Sequence, residues 1–437
     1  MKLVEYIIGD SREVEKIFAK KKIKKVDLIL TSPPYFDILN YENSENQIGY
    51  KQSYEKYLED ITDIYQQCYR ISNNNATLWI VVDTIRKDSV TITLPFDIIN
   101  KLKSLFSNNT WILRDVIIWN KYKNIPWFSK GRFKNQFEYI LFLSKNNDYK
   151  YHIDNVREIA DYKKWWLTYP ERYNPKGKPP SNIWEWEDIM SIWEFIIPIR
   201  GWGNGYQKHL CPFPFPLIER ILSISSDERD VIFDPFAGSG SVLALAKEMK
   251  RYSIGIDINK KYKEQFEKEV LIGAKKYWNN RKKELRIIRG IQTRFGEINF
   301  KLRKIKACIK LIQILKDFFK DYIFILIDHR DDLEQASCVL IKNSNVKNLV
   351  DVSIFNNPIS NLSREFKIKI NLEILDQNQF FSIYPDVKEV FSYSEAQRFK
   401  FIENLSIKEL FKEKRSSDCL YSDIKLNINK YSDLYKK

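Results

Sequence analysis

Short, nearly unbroken apolar runs separated by longer amphipathic stretches dominate the first half of the chain. Val26-Asp27-Leu28-Ile29-Leu30, Thr77 to Val82, Asp115 to Trp119 and Tyr139 to Leu143 have the length and composition of buried strands. Runs of this kind mark a parallel sheet covered on both faces. Ser53 to Ile71 and Pro95 to Phe106 read as helices between them. Further on, Val231 to Phe233, Ser241 to Lys250 and Tyr252 to Ile256 follow one another as strand, helix and strand. That βαβ unit places the chain in the α/β class.

The pattern breaks twice. Residues 146–200 hold Trp165, Trp166, Trp184, Trp186 and Trp193 around a Pro/Gly/Lys stretch at Asn174 to Pro180, the composition of an irregular insert. From Asn279 to Lys320 the chain reads as a basic helix leading into a strand at Tyr322 to Ile327. Phe366, Ile368, Ile370, Leu372 and Ile374 then alternate with polar residues, as in a half-buried strand. These shifts divide the chain into 1–145, 146–200, 201–280 and an α+β extension, 281–437.

Composition narrows the class. At 437 residues, 44% hydrophobic and 30% charged, with 13 Gly and 15 Pro, the chain is globular rather than fibrous or disordered. No apolar run approaches the roughly 20 residues of a membrane span. An acid at Glu5 comes too early for a secretory signal, so a cytoplasmic protein without membrane association is expected. Cys68, Cys211, Cys308, Cys338 and Cys419 form no CxxC pair, and three His are too scattered for a metal cluster; no metal is expected. Lys and Arg exceed Asp and Glu by 72 to 57, a net charge of +15. A field of that sign attracts polyanions, whether nucleic acid or acidic membranes, although drift in a Lys-, Asn- and Ile-rich chain would produce it too.

Two loops carry candidate chemistry. Asp234-Pro235-Phe236-Ala237-Gly238-Ser239-Gly240-Ser241 lies between a strand and a helix, where glycines permit close backbone approach to a ligand. Asp257 ends the next strand, placed to accept hydrogen bonds from ribose hydroxyls. The loop reads GxGxxL, an incomplete dinucleotide fingerprint. Thr31-Ser32-Pro33-Pro34-Tyr35 follows directly on the strand Val26 to Leu30. Its prolines fix the backbone and free carbonyls from local N–H partners. A serine hydroxyl and a neighbouring carbonyl can accept both protons of an amino group, and Tyr35 offers a face for a planar base.

Together these loops resemble the S-adenosylmethionine-dependent DNA amino-methyltransferases. Because Ser-Pro-Pro-Tyr precedes Asp-Pro-Phe-x-Gly-x-Gly, the order is similar to that of the β class, and the serine form resembles its N4-cytosine branch. The resemblance covers roughly residues 3–275 and implies a circularly ordered Rossmann-like methyltransferase sheet. Residues 1–145 would form its catalytic half, 146–200 a target-recognition insert and 201–280 the half that binds S-adenosyl-L-methionine. Ser32, Pro33, Pro34 and Tyr35 would be catalytic. Asp10, Thr31, His209, Asp234, Pro235, Phe236, Gly238, Gly240 and Asp257 would bind the cofactor. His209 lies in Lys208-His209-Leu210-Cys211-Pro212, similar to a cofactor-capping segment except at Leu210-Cys211.

Double-stranded DNA is the implied partner. Trp119-Asn120-Lys121, Arg132-Phe133 and Phe137 to Ile140 resemble the lining of a target-base pocket. Lys121, Arg132, Lys163, Lys164, Arg172, Lys176 and Lys178 are the candidate DNA contacts. The insert's Trp residues could equally form a small satellite core. The expected reaction is methyl transfer to N4 of cytosine in a flipped base, as the modification half of a restriction-modification system with a cognate endonuclease. Three alternatives stand beside it. One is N6-adenine transfer, and another is a non-catalytic DNA-binding relative. The third is a fused nuclease built on Asp351 and Glu365-Phe366-Lys367, whose paired carboxylates would hold Mg²⁺.

Overall fold

The computed structural model describes residues 3–36, 47–107, 109–121, 135–158, 172, 174, 176–184, 213–315, 318–319, 322–328, 335–342, 351–383 and 399–402. The chain divides into two compact units, 1–158 with 179–286 and 159–178 with 287–437.

The first unit is built on an eight-stranded sheet. Its elements, in chain order, are β1 (Val4–Ile8), α1 (Val14–Lys21), β2 (Val26–Thr31), α2 (Tyr54–Ile71), β3 (Ser72–Val82), a β4 (Ile85–Lys87)/β5 (Val90–Ile92) hairpin and α3 (Leu94–Phe106). They continue with β6 (Ile112–Asn120), β7 (Phe137–Ser144), β8 (Ile183–Trp184), α4 (Phe215–Ser225), β9 (Val231–Asp234), α5 (Ser241–Glu248), β10 (Tyr252–Asp257) and α6 (Lys260–Gln265). A π-helical turn, Phe266–Val270, joins α6 to α7 (Leu271–Leu315). The spatial order is β1-β10-β9-β2-β3-β7-β6-β8.

Alternation along each strand sorts side chains to the two faces of the sheet. Leu28 and Leu30 of β2 and Trp79 and Val81 of β3 pack with α4 and α5. Ile29, Leu78, Ile80 and Val82 point the other way, under α1, α2 and α3. Both faces are thus covered, as the continuous apolar runs predict. The direction of one strand differs from expectation: β7 runs antiparallel to both of its neighbours, β3 and β6, while β6 keeps the direction of β3. An apolar run reports burial on two faces and says nothing about strand direction. Trp184 is buried in the main core beside Trp79, at a ring separation of 6.3 Å.

The connections leave β9 and β2 in opposite directions, since β9 leads through α5 to β10 and β2 through α2 to β3. A crevice therefore opens between these neighbours at their C-terminal ends, where open α/β sheets bind ligands.

In the second unit, the later part of α7 contributes to a separate core with Phe319, Cys338, Leu340 and Phe366. Its four-stranded sheet has the order β13 (Lys369–Asp376), β12 (Gln335–Lys342), β11 (Tyr322–Asp328), β14 (Phe399–Ile402), and α8 (Asn356–Phe366) and α9 (Gln377–Ile383) flank β13 in the chain. The basic helix begins at Leu271 rather than Asn279. The alternating pattern beginning at Phe366 is a strand only from Lys369. Phe366 ends α8, and Lys367 terminates it in a left-handed conformation at φ 52°. Asp351 caps its own turn through the Ser353 N–H (2.9 Å), and Glu365 pairs with Lys310 (2.6 Å).

Candidate active site

The two chemistry-bearing loops meet in one cleft at the C-terminal ends of β2, β9 and β10. Ser32, Pro33, Pro34 and Tyr35 form one wall; Asp234, Phe236, Gly238 and Asp257 form another, with Asp10 beside them. These residues come from opposite ends of the unit.

Asp234 sits at the junction. The Thr31 hydroxyl donates to its Oδ1 at 2.7 Å, and the Phe236 N–H donates to the same oxygen at 3.0 Å. Oδ2 is left without a hydrogen bond among the described residues. Burial pushes this carboxyl up to about 7, and the two donated hydrogen bonds only partly oppose that rise. Thr31 is fully buried behind Asp234 and does not line the cleft. Its role in the geometry is to orient the carboxylate and to tie β2 to β9.

The glycine loop is held from three sides. Gly238 donates its N–H to Asp257 Oδ2 (2.9 Å) and its carbonyl accepts from the Tyr6 hydroxyl (2.5 Å). The Pro235 carbonyl accepts from the Ser11 hydroxyl. Pro235 and Gly240 are thus scaffold rather than lining. Gly240 starts α5 at φ +79°, and a Cβ there would lie 2.4 Å from the Phe266 ring. The π-turn supplies that ring, so only glycine fits. Asp257 also accepts from the Asn259 N–H at 2.8 Å, and burial raises its pKa.

The Ser32–Tyr35 loop is backed by α2. The buried Tyr57 donates its hydroxyl to the Pro34 carbonyl at 2.9 Å. Gly49, at φ +87°, lies so close that a Cβ would stand 3.3 Å from the Tyr35 carbonyl. Ser32 and Pro33 have no hydrogen bond among the described residues, so the hydroxyl and the Pro33 carbonyl remain as acceptors in the cleft wall. Proline and tyrosine content alone did not disclose Tyr57, Tyr6 or the lining residues Gln47, Phe213 and Tyr262. The regular spacing of α2 was the one available signal for Tyr57.

The electrostatics are selective. Asp10, Asp234 and Asp257 line the cleft, and no Lys, Arg or His stands among its described lining residues. In a chain of net charge +15, this cleft favours a cation and disfavours phosphate. Asp10 is itself clamped by the Arg12 side chain at 2.6 Å.

The remaining candidates separate from the cleft. Lys121 pairs with Glu138 and stands 4.3 Å from the Trp119 ring centre, which commits its ammonium inside the fold. Arg172, Lys176 and Lys178 are exposed residues of the second unit. His209, Arg132, Lys163 and Lys164 lie outside the described residues. Among the described residues, no helix is long and apolar enough to cross a membrane, and no group of His, Cys, Asp and Glu is arranged to hold a metal.

The type II methyltransferase M.BglII of Bacillus subtilis is 27% identical over 248 residues, covering 54% of this chain and 61% of that protein. This chain thus spans about three fifths of the length of that relative. The orphan methyltransferase M.BamHII of Bacillus amyloliquefaciens is 30% identical over 252 residues, covering 54% of this chain and 85% of that one. The Thermus thermophilus protein TTHA0409, solved with S-adenosyl-L-methionine, aligns with a TM-score of 0.40 at 23% identity, covering 61% of this chain and 92% of that one. A family model for N6/N4 DNA methylases matches residues 26–268, over half of the chain and including both walls of the cleft. The chain belongs to the N6/N4 DNA methylase family.

Proposed function

We propose that this protein transfers the methyl group of S-adenosylmethionine to the exocyclic amine of a base in duplex DNA, with N4 of cytosine as the target. The observation that carries the reading is the convergence of Ser32, the Pro33 carbonyl and Asp234 in one acidic cleft. The donor carries its methyl on a cationic sulfonium, and its net positive charge suits a cleft lined by Asp10, Asp234 and Asp257. Asp257, already ordered by two backbone N–H groups, has lone pairs left for ribose hydroxyls. Asp234 Oδ2 can accept from the donor's ammonium group.

On the other wall, Ser32 Oγ and the Pro33 carbonyl accept the two protons of the target amine. An exocyclic amine is delocalised into its ring, and holding both protons out of plane turns the nitrogen lone pair toward the methyl. The transfer is then an in-line displacement that relies on positioning and electrostatics. Reaching that amine inside a duplex requires flipping the base, with Tyr35 as its stacking surface. The excess proton leaves to solvent after transfer, because serine is a weak base.

The choice of cytosine rests on Ser32, where the adenine branch of the family more usually carries aspartate. By analogy with type II methyltransferases, the protein would protect sites cut by a cognate endonuclease. The test is incubation with labelled S-adenosylmethionine and mixed-sequence duplex, digestion to nucleosides and identification by mass. N4-methylcytosine is expected. N6-methyladenine would overturn the base assignment and keep the reaction, and no labelled base despite donor binding would overturn the reaction.

A further inference from the structure

The helix α7 has two unlike faces over its first four turns. Ala274, Tyr277 and Arg281 face α4: Tyr277 and Arg281 both bond the buried Glu219, the latter at 2.8 Å, and Tyr277 packs 5.5 Å from Phe215. The opposite face carries Lys275, Lys276, Lys282, Lys283 and Arg286, all exposed. Positions 275, 282 and 286 share one helical stripe, with 276 and 283 flanking it. The only acid between Leu271 and Arg286 is Glu284, which bonds Arg281 at 2.9 Å, away from that stripe. None of the five cations has an ion-pair partner among the described residues.

The place of this face in the unit matters as much as its charge. α4 begins at Phe215, two residues after Phe213, which lines the cleft. Glu219 lies one turn further along α4. The segment of α7 held by Phe215 and Glu219 is therefore anchored at the cleft end of the sheet. From Lys275 to Arg286 the stripe extends about 16 Å at 1.5 Å per residue, about five base-pair steps of duplex.

We propose that this face of α7 binds the phosphate backbone of duplex DNA flanking the target base. The proposal rests on the reading of the cleft given above, which makes duplex DNA the polyanion delivered to that end of the molecule. The contacts are sequence-independent, since flexible ammonium groups on one helix stripe meet phosphates without reading base edges. Their work is to raise the affinity and hold register while the base is flipped.

The test uses the full-length protein and a mixed-sequence duplex of about 30 base pairs, with binding followed by anisotropy across a salt series. One variant combines Lys275→Gln, Lys276→Gln, Lys282→Gln, Lys283→Gln and Arg286→Gln; glutamine keeps helix propensity. A control combines Lys16→Gln, Lys20→Gln, Lys21→Gln, Lys24→Gln and Lys25→Gln. Those exposed lysines run up to the start of β2, toward the edge opposite the cleft. The face variant is expected to lower the slope of log affinity against log salt by up to about 4, with the control near wild type. Unchanged melting temperature and donor affinity in the face variant show that the fold is kept. An unchanged slope, an equal loss in the control, or tighter face-dependent binding to anionic vesicles than to duplex would overturn the proposal. Absence of methyl transfer by the wild type, with face-dependent duplex binding intact, would strike the reading of the cleft and leave this one standing.

Discussion

Replacing Asp234 by Asn removes an ionisable carboxyl from the floor of the cleft while keeping the side-chain shape, and its effects follow from that single group. In the folded protein this group sits at about 7 instead of its ordinary 3.8, because it is buried. Between those values the folded state holds a proton that the unfolded chain has lost. Stability of the unliganded protein therefore falls as pH rises from about 4 to about 7, by up to about 4 kcal/mol from this group, and is flat above. Asp234→Asn should lack that component, so the difference between the two melting curves should itself slope across this range. Donor binding has the opposite sense. If the donor's cation requires ionised Asp234, the competent fraction is about one tenth at pH 6 and nine tenths at pH 8, so affinity should tighten about tenfold. Isothermal titration with S-adenosylmethionine at several pH values measures this directly. A wild-type affinity that is flat from pH 6 to 8, or an Asn variant with the same profile, would refute the assignment of Oδ2 to the donor's cation.

Two other substitutions test the scaffold. Gly240→Ala puts a Cβ 2.4 Å from the Phe266 ring at a φ of +79°; left-handed strain and overpacking together should cost about 2–5 kcal/mol in denaturant unfolding. A loss below about 1 kcal/mol would mean that the ring yields freely. Tyr57→Phe leaves the Pro34 carbonyl without its donor, at a cost of about 1–3 kcal/mol. It should lower kcat while the donor Kd stays unchanged; wild-type kcat would show that the loop needs no support from α2.

The elements around the cleft were legible because their periodicity is local. β2, β3, β9 and β10 declare themselves as apolar runs, α2 and α5 follow them at helical spacing, and the two loops fall where strand meets helix. The Pro-Pro-Tyr and Gly-x-Gly signatures were legible for the same reason, since each is contiguous. Strand direction was not. β7 is as apolar as the parallel strands, and its reversed direction is set by insertion between β3 and β6, which no local pattern records.

Individual roles divided along the same line. Ser32 to Tyr35, Asp234 and Asp257 could be named as candidates from residue type and loop position, and the fold brings them to one cleft. That Thr31 stands behind Asp234, that Tyr6 grips Gly238, and that Lys121 turns inward to Glu138 could come only from the folded chain. Thr31 and Asp234 are 203 residues apart and Tyr6 and Gly238 are 232 apart. Such pairs are set by how a twisted sheet brings strand ends together, and the burial that follows raises Asp234 to about 7. A local pattern specifies which face of an element is apolar, and only packing decides which polar groups are left to meet at its end.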